Sequence, residues 1–466
     1  MLRRAAAVTA LSLAQACSDP QPAPAATTPP QHRRAHRGAD ASFGDLTRAL
    51  SRRLGGALRH QHQPSWTRGF LQPWAPRLPG RMFDVGAHAP PDFDPNRRFH
   101  LVMFLVPWGS NATGSLVAGR GEVVPGGPLI PGWGLGARMD HARVDALLLA
   151  PQFARGARDW GGWFAHRTTA RRWLARTLSE TLAPAMGRPL SLDQVDGITL
   201  VGSSAGGVAA SRIVASDLGP LVRNVVLFDA FYTGADAFSR WLLSAPPDQP
   251  RRLVAIDGGG ASTASQNRAL LAAVRGRLPV AVNPGGPIAD AVRDHRVVVA
   301  HSALEHVHIA VMNFGKVLSG LELPERPACP DEGDPLTPWP GVSVPSTPMR
   351  VGDTARGALA FGDATLRSGA LADDYALDLA AGESVSVRAD GSRELGVGRA
   401  PLDLLLRVTR ADGRVVAEDD DAGGLAHPRL AFTADRAGRY TVRVTSYGPW
   451  RRRGEYALTV SRPSRP

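Results

Sequence analysis

Lysine is almost absent from this chain, although its charge balance is strongly basic. Lys316 is the only lysine among the 54 basic residues, and the formal net charge at pH 7 is +12. The arginines are scattered or clustered in proline-rich and terminal segments, and no stripe interleaves them with aromatic residues. A nucleic-acid surface combines positive charge with stacking side chains. The composition therefore predicts no nucleic-acid partner.

Cysteine and long apolar runs are also scarce. With only Cys17 and Cys329, the chain has no disulfide framework, and we expect Cys329 to be an inert thiol in a linker. Beyond the N-terminus, no segment approaches the roughly 18 continuous apolar residues of a membrane helix. A length of 466 residues predicts two globular units joined by connecting segments.

The N-terminus has the pattern of an export signal. A short basic start is followed by an apolar stretch from Ala5 to Ala14 and then by small residues before Cys17. This pattern predicts a signal at 1–17 and an exported protein, and residues 18–64 predict a disordered tether. The position of Cys17 resembles a bacterial lipoprotein site, although Ala14 stands where that motif usually has leucine. Two destinations stay open: an extracellular protein, or a cell-envelope lipoprotein tethered through Cys17.

Residues 65–323 alternate apolar runs with amphipathic stretches, which predicts an α/β fold with a doubly wound, mostly parallel sheet. The strand candidates are His100–Val106, Val144–Ala150, Gly197–Val201, Val222–Phe228, Leu253–Ile256 and Val297–Ala300. The main helix candidates are Thr168–Leu182, Ala205–Val214, Ala235–Leu243, Thr263–Arg275 and Ile309–Leu321. The proline-rich segment 324–350 predicts a linker. Residues 351–463 carry short alternating runs between Gly/Asp turns, which predict an all-β antiparallel sandwich.

A glycine-rich turn within the α/β segment points to catalysis. Gly202-Ser203-Ser204-Ala205-Gly206 follows a predicted strand and precedes a predicted helix. Such a turn forces its central serine into a strained conformation, and the flanking glycines let the backbone fold tightly. The helix N-terminus then stabilises negative charge that develops near the serine. Ser204 is the candidate nucleophile; the alternative is a turn that only joins strand to helix.

A serine nucleophile needs a base and a carboxylate that orients the base. The segment after the last predicted strand offers His306 as first choice, His308 as second and His301 as third, with a surface or metal-binding histidine cluster as the alternative. Asp229 and Asp257 both follow predicted strands and are the candidate acids.

Ser204, an acid and a following histidine, in this chain order, resemble the α/β-hydrolase superfamily of esterases, lipases and peptidases. The resemblance implies a catalytic triad and places the acid most often before the histidine strand, where Asp257 stands. Asp257 runs directly into three glycines, however, and Asp229 matches the variant with the acid one strand earlier. We therefore favour Asp229 and keep Asp257 as the alternate.

The resemblance also implies an oxyanion hole after an early strand, at Val106-Pro107-Trp108-Gly109. Val106-Pro107 replaces the His-Gly pair common in that superfamily, and proline has no N–H to donate. Trp108 or Gly109 would then supply one donor and Ala205 the other.

The C-terminal segment has Asp/Gly turns and short alternating runs at 373–383, 411–413, 417–421, 437–444 and 454–456. These residues resemble the bacterial pre-peptidase C-terminal domain, a non-catalytic β-sandwich that accompanies secreted hydrolases. Its acidic run Asp419, Asp420 and Asp421 offers hard oxygen ligands for a structural calcium ion, and a solvated turn is the alternative.

Two functions stay open at this point. The first is a secreted or surface-tethered serine hydrolase that needs no cofactor and acts through an acyl-enzyme, on an ester more than on an amide. The second is a catalytically weak binding protein with a hydrolase fold, which the altered turn at Pro107 favours. Neither the exact substrate nor the oligomeric state follows from the sequence.

Overall fold

The computed structural model describes residues 66–72, 83–91, 93–107, 115–116, 118–119, 132–151, 169–326, 334–338, 342–360, 362–368, 370–392, 402–422, 427–447 and 453–463. The predicted export signal with Cys17, the predicted tether, Trp108, Gly109 and Cys329 lie outside these residues. Among the described helices, none is long and apolar enough to span a membrane.

A nine-stranded mixed sheet forms the centre of the α/β region, residues 66–326. The described strands of the whole region, in the sheet and beside it, are β1 (Trp66–Gln72), β2 (Phe83–Ala89), β3 (Phe99–Leu105), β4 (Ala118–Gly119), β5 (Gly132–Trp133), β6 (Ala146–Pro151), β7 (Val195–Ser203), β8 (Val222–Phe228), β9 (Arg252–Asp257), β10 (Val280–Val282) and β11 (Val297–His301). Their order in the sheet is β1-β2-β6-β3-β7-β8-β9-β11-β10, while β4 and β5 form a separate ribbon. From β6 to β10 all neighbours are parallel, and β1 and β2 add an antiparallel edge.

Helices cover both faces of this sheet. They are α1 (Leu135–His141), α2 (Thr169–Arg176), α3 (Ala183–Met186), α4 (Gly206–Val214), α5 (Ala235–Leu243), α6 (Ala261–Val274), α7 (Ile288–Asp294) and α8 (His306–Gly320), with a π-helical turn between α2 and α3. Alternate residues of β3 show why two layers form: Leu101 and Met103 join the apolar cluster with α2, α4, α5 and α6. Val102 and Phe104 join the other cluster, with α1, α7 and α8. Because both faces of the strands are apolar, helices must cover both.

The predicted elements of this region agree with the structure in kind and differ at their ends. Strand β8 and helix α5 have the predicted bounds, whereas α8 starts at His306, three residues before the predicted Ile309. The strand candidates do not include β1, β2, β4, β5 or β10, and the helix candidates do not include α1, α3 or α7.

In the C-terminal β region, residues 342–463, every helix or strand formed by the described residues is a strand. They are β12 (Ser346–Met349), β13 (Thr354–Leu359), β14 (Ala364–Thr365), β15 (Leu371–Leu379), β16 (Ser384–Gly391), β17 (Leu404–Arg410), β18 (Val415–Asp419), β19 (Arg429–Thr433), β20 (Gly438–Ser446) and β21 (Gly454–Ser461). One sheet has the order β12-β15-β20-β17-β18, with β14 beside β15, and the other β13-β21-β16-β19. Apolar side chains from both sheets form one buried cluster.

Strand β12 lies within the segment predicted to be a linker. It pairs with β15 in parallel, in an otherwise antiparallel sheet. Pro348 is tolerated there because β12 is an edge strand, where a missing N–H need not break the ladder. The segment 324–350, predicted to be a linker from its prolines and its lack of an apolar pattern, therefore contains a strand of this sheet near its end.

Candidate active site

Ser204 stands at a tight turn between the central strand β7 and helix α4. Its backbone has a φ of 50°, in the left-handed region, and its N–H donates to the carbonyl oxygen of Phe228 at 3.1 Å. A Cβ on Gly206 would overlap the carbonyl oxygen of Leu105, and one on Gly207 would overlap that of Ala230. The glycines therefore let the turn pack directly against the ends of β3 and β8.

Asp229 and His306 meet at the same edge of the sheet. Asp229 directly follows β8, has a φ of 43°, and donates its N–H to the carbonyl oxygen of Ile256 at 2.7 Å. Its Oδ2 lies 2.6 Å from Nδ1 of His306, the first residue of α8. Its Oδ1 accepts a hydrogen bond from the N–H of Gly258 at 3.3 Å. The carboxylate is thus held by one contact on each oxygen.

The hydrogen bond from His306 lowers the pKa of the Asp229 carboxyl, against the opposing effect of burial. Asp229 is 14% exposed and His306 is 42% exposed. The carboxylate is therefore ionised at neutral pH, and it holds an imidazole that remains open to solvent. With Nδ1 bonded to Asp229, the Nε2 atom of His306 is available to take a proton.

The alternate acid has other partners. Asp257 accepts hydrogen bonds from the N–H of Gly259 at 2.8 Å and from Nδ2 of Asn267 at 2.5 Å. The closest imidazole to it is that of His301, whose Nδ1 lies 3.5 Å from Oδ1. Asp257 thus shapes the glycine turn that presents the N–H of Gly258 to Asp229.

The alternate base His308 has a different neighbour. It is buried, and its Nδ1 lies 3.8 Å from a carboxylate oxygen of Glu305, one turn earlier. Burial lowers the pKa of His308, with Glu305 acting in the opposite direction. Of the three candidate histidines, the structure brings only His306 to Asp229.

Tyr232 joins the site, although no sequence motif pointed to it. Burial and the charge of Asp229 raise the pKa of its phenol, and a hydrogen bond with the Ser204 side chain acts in the opposite direction. The residue is 37% exposed, so it borders the open side of the site. Its place three residues after Asp229, in the same loop, was the one available signal.

The described part of the predicted oxyanion turn ends at Pro107. Val106 and Pro107 are buried directly after β3, and Leu105 of β3 pairs with Gly202 of β7. The turn therefore leaves the sheet beside the Ser204 turn. Ala205 is half-buried at the start of α4, which places its N–H at the helix N-terminus.

The acidic run of the C-terminal β region faces a lysine. Asp420 and Asp421 lie within 3.4 Å of the ammonium of Lys316, and Asp419 accepts backbone N–H bonds from Ala422 and Arg429. Among the described residues, no group of three or more His, Cys, Asp or Glu side chains is arranged to hold a metal ion. The calcium hypothesis stays a prediction.

Comparison with known proteins gives distant structural similarities only. No protein-family model matches the chain. No curated protein matches it either. A feruloyl esterase module from Clostridium thermocellum in complex with sinapinate has 11% identity and a TM-score of 0.37, covering 58% of this chain and 92% of that one. An S-formylglutathione hydrolase from Agrobacterium tumefaciens has 11% identity and a TM-score of 0.33, covering 56% and 95%. The pre-peptidase C-terminal domain of a collagenase from Bacillus anthracis has 18% identity and a TM-score of 0.20, covering 26% and 97%.

Proposed function

We propose that this protein is a serine hydrolase that cleaves an ester through an acyl-enzyme, with Ser204, His306 and Asp229 as its triad. The observation that carries the proposal is the Asp229–His306 hydrogen bond of 2.6 Å at the sheet edge where Ser204 stands on a strained strand-to-helix turn. Strain of this kind persists only where the surrounding structure enforces it, and it is concentrated at functional sites.

The first half of the reaction forms the acyl-enzyme. Oγ of Ser204 attacks the ester carbonyl carbon while Nε2 of His306 takes the hydroxyl proton. The N–H of Ala205, at the N-terminus of α4, faces the oxygen that becomes negative. The tetrahedral intermediate collapses, the carbon–oxygen bond to the alcohol breaks, and His306 returns its proton to that alcohol.

The second half hydrolyses the acyl-enzyme. His306 takes a proton from water, the hydroxide attacks the acyl carbon, and the bond to Ser204 breaks with return of the proton to its Oγ. Asp229 holds Nδ1 protonated throughout and stabilises the imidazolium. Tyr232 is suited to hold the Ser204 hydroxyl before attack, since its phenol stands near that side chain.

A fluorophosphonate probe tests this function directly, since it labels an activated serine. We expect the full-length protein to be labelled and Ser204→Ala to be silent. Ser203→Ala is the matched control, because Ser203 is the neighbouring serine but is buried at the end of β7. Comparing an ester and an amide of the same acyl group then distinguishes esterase from peptidase.

A second candidate is a surface binding protein with a hydrolase fold and little turnover. Pro107 favours it, because proline removes one N–H from the turn beside Ser204. Absence of labelling on the intact, folded protein would support this candidate and overturn the enzyme.

We further propose that the protein is exported and that its C-terminal β region is a sandwich of the pre-peptidase C-terminal type. The apolar cluster shared by its two sheets supports the sandwich. Cys17→Ser separates the two destinations: loss of membrane association and of incorporated fatty acid would indicate a lipoprotein, and unchanged release would indicate simple secretion.

A further inference from the structure

The only lysine of the chain is buried where helix α8 meets the C-terminal β region. The ammonium nitrogen of Lys316 lies 3.0 Å from Oδ1 of Asp403, 2.6 Å from Oδ1 of Asp421 and 3.4 Å from Oδ2 of Asp420. The lysine side chain is 3% exposed. All three aspartates belong to the C-terminal β region, so each ion pair of this Lys316 cluster joins it to the α/β region.

Tyr447 of the C-terminal β region contacts both Lys316 on α8 and His141 on α1. Its ring centroid lies 4.9 Å from the ammonium of Lys316 and 5.1 Å from the ring of His141, at the end of α1. Its N–H donates to the carbonyl oxygen of Asp403 at 2.9 Å. A Cβ on Gly315 would lie 3.4 Å from the hydroxyl of Tyr447, so α8 and this ring are in close contact.

The charges of the cluster make the docked arrangement specific. Burial disfavours the charge of Lys316, but the surrounding carboxylates outweigh it and hold its pKa well above the usual value. Burial raises the pKa of Asp420 to about 7; Lys316 opposes this, while Asp421, Asp403 and Asp419 reinforce it. Three carboxylates face one ammonium, so removing Lys316 would leave buried negative charge without compensation. The ammonium therefore stabilises the docked arrangement.

Lysine suits this position better than the arginine that the chain uses elsewhere. An ammonium group directs three donors away from one compact centre, so it can reach three separate carboxylates. A guanidinium holds its five donors in one plane, and Arg407 and Arg410 of this region each pair with two carboxylates in that way. In a chain whose other basic residues are all arginine, the local geometry favours the exception.

The cluster and the proposed base share one helix. Helix α8 begins at His306, and Lys316 follows ten residues later. At about 1.5 Å per residue the two positions are about 15 Å apart along the axis. The imidazole has one side-chain hydrogen bond, to Asp229. Its position relative to Ser204 therefore depends on where the helix lies.

We propose that the C-terminal β region is a positioning element of the active site: through the Lys316 cluster it holds α8, and with it His306, in the orientation that serves Ser204. This inference rests on the proposed serine hydrolase function. Lys316, Asp403 and Tyr447 are then positioning residues, since they act on the reaction only through α8.

Asp403→Asn in the full-length protein tests the proposal. Its matched control is Asp374→Asn, because Asp374 is also a buried carboxylate of the C-terminal β region but pairs with Arg443 inside that region, at 2.8 and 2.7 Å. We expect Asp403→Asn to lower kcat on an aryl ester about tenfold or more, with KM within about twofold, because alignment rather than binding is lost. Hydrogen exchange of the first turn of α8 should accelerate. Asp374→Asn should change neither.

A wild-type rate and exchange pattern in Asp403→Asn would overturn the proposal, as would equal effects of the two variants. If Asp403→Asn does not fold, Tyr447→Leu takes its place, because it removes the ring over Lys316 without stranding a charge. If the wild type is not labelled and turns over no ester, the serine hydrolase function fails, and exchange alone decides the coupling. Faster exchange at 306–310 in the cluster variant but not in the control supports it, and equal exchange overturns it.

Discussion

Replacing Asp229 by asparagine should disable the enzyme by fixing the wrong tautomer of His306. The two oxygens of Asp229 have different partners: Oδ1 accepts from the N–H of Gly258, and Oδ2 faces Nδ1 of His306. In Asp229→Asn the amide oxygen must stay on the Gly258 side, since an NH₂ group there would oppose an N–H. The NH₂ group then donates to Nδ1, which moves the imidazole proton to Nε2 and leaves no base for Ser204.

The size of the loss follows from this reversal. An equivalent Asp-to-Asn change in a serine protease triad lowers kcat by about 10⁴. His306 is 42% exposed, so solvent helps the imidazole to reorient, and we expect a loss in kcat/KM of about 10³ to 10⁴. At about 1.36 kcal/mol for each factor of ten, this is about 4 to 5.5 kcal/mol of transition-state stabilisation.

Asp257→Asn is the matched control, at the end of the neighbouring strand. Its carboxylate accepts from Gly259 and Asn267, so the variant should lose about 1–2 kcal/mol of stability and less than about tenfold in kcat/KM. Initial rates on an aryl ester and thermal melts separate the two effects. An equal or larger loss of activity in Asp257→Asn, at intact stability, would show that the acid has been assigned to the wrong strand.

Three further predictions concern single side chains. Tyr232→Phe should lower kcat/KM by about 2- to 13-fold, the worth of one neutral hydrogen bond to the Ser204 hydroxyl, and keep fluorophosphonate labelling; an unchanged rate would show that the phenol has no role. Gly207→Ala should destabilise the fold by more than about 3 kcal/mol in denaturant melts, because its Cβ overlaps the carbonyl oxygen of Ala230. Gly285→Ala, with open space around it, should stay within about 0.5 kcal/mol, and equal melts would refute the packing argument. Asp420→Asn should stabilise the protein increasingly as pH rises from about 4 to 7. In the folded parent the pKa of Asp420 is raised to about 7, so its carboxyl retains a proton that the unfolded chain releases. The parent therefore loses stability across that pH window, and the variant does not. A pH-independent difference between the two proteins would contradict this.

The nucleophile turn and the strands around it could be predicted because their causes are local. Strand β8 has the predicted bounds because a Gly219-Pro220 turn comes shortly before it and Asp229 ends its apolar run. The turn at Ser204 could be recognised because only glycine permits the close approach of neighbouring backbones at Gly206 and Gly207. In each case the sequence pattern and the physical requirement concern the same few residues.

The sequence favoured Asp229 over Asp257 only through the three glycines after Asp257 and a resemblance to a family variant, and not through a contact. Asp229 and Asp257 end neighbouring parallel strands, so residue type and position alone describe them equally well. What separates them is the left-handed backbone at Asp229, with a φ of 43°, and the imidazole of His306, 77 positions away in the chain. Neither the turn of the backbone nor the start of α8 at His306 has a distinct sequence signal.

Lys316 was visible in the composition as a lone lysine, but its role depends on contacts that no local pattern contains. Its partners Asp403 and Asp421 are 87 and 105 positions away, and they belong to a different region of the fold. The acidic run that contains Asp421 fits a cation site as well as it fits a solvated turn, because a sequence does not show which counter-ion the fold brings to it. A buried ammonium on the helix of the proposed base is such a counter-ion. The basic residue that the composition made exceptional therefore joins the two regions by ion pairs, which is the basis of the proposed coupling.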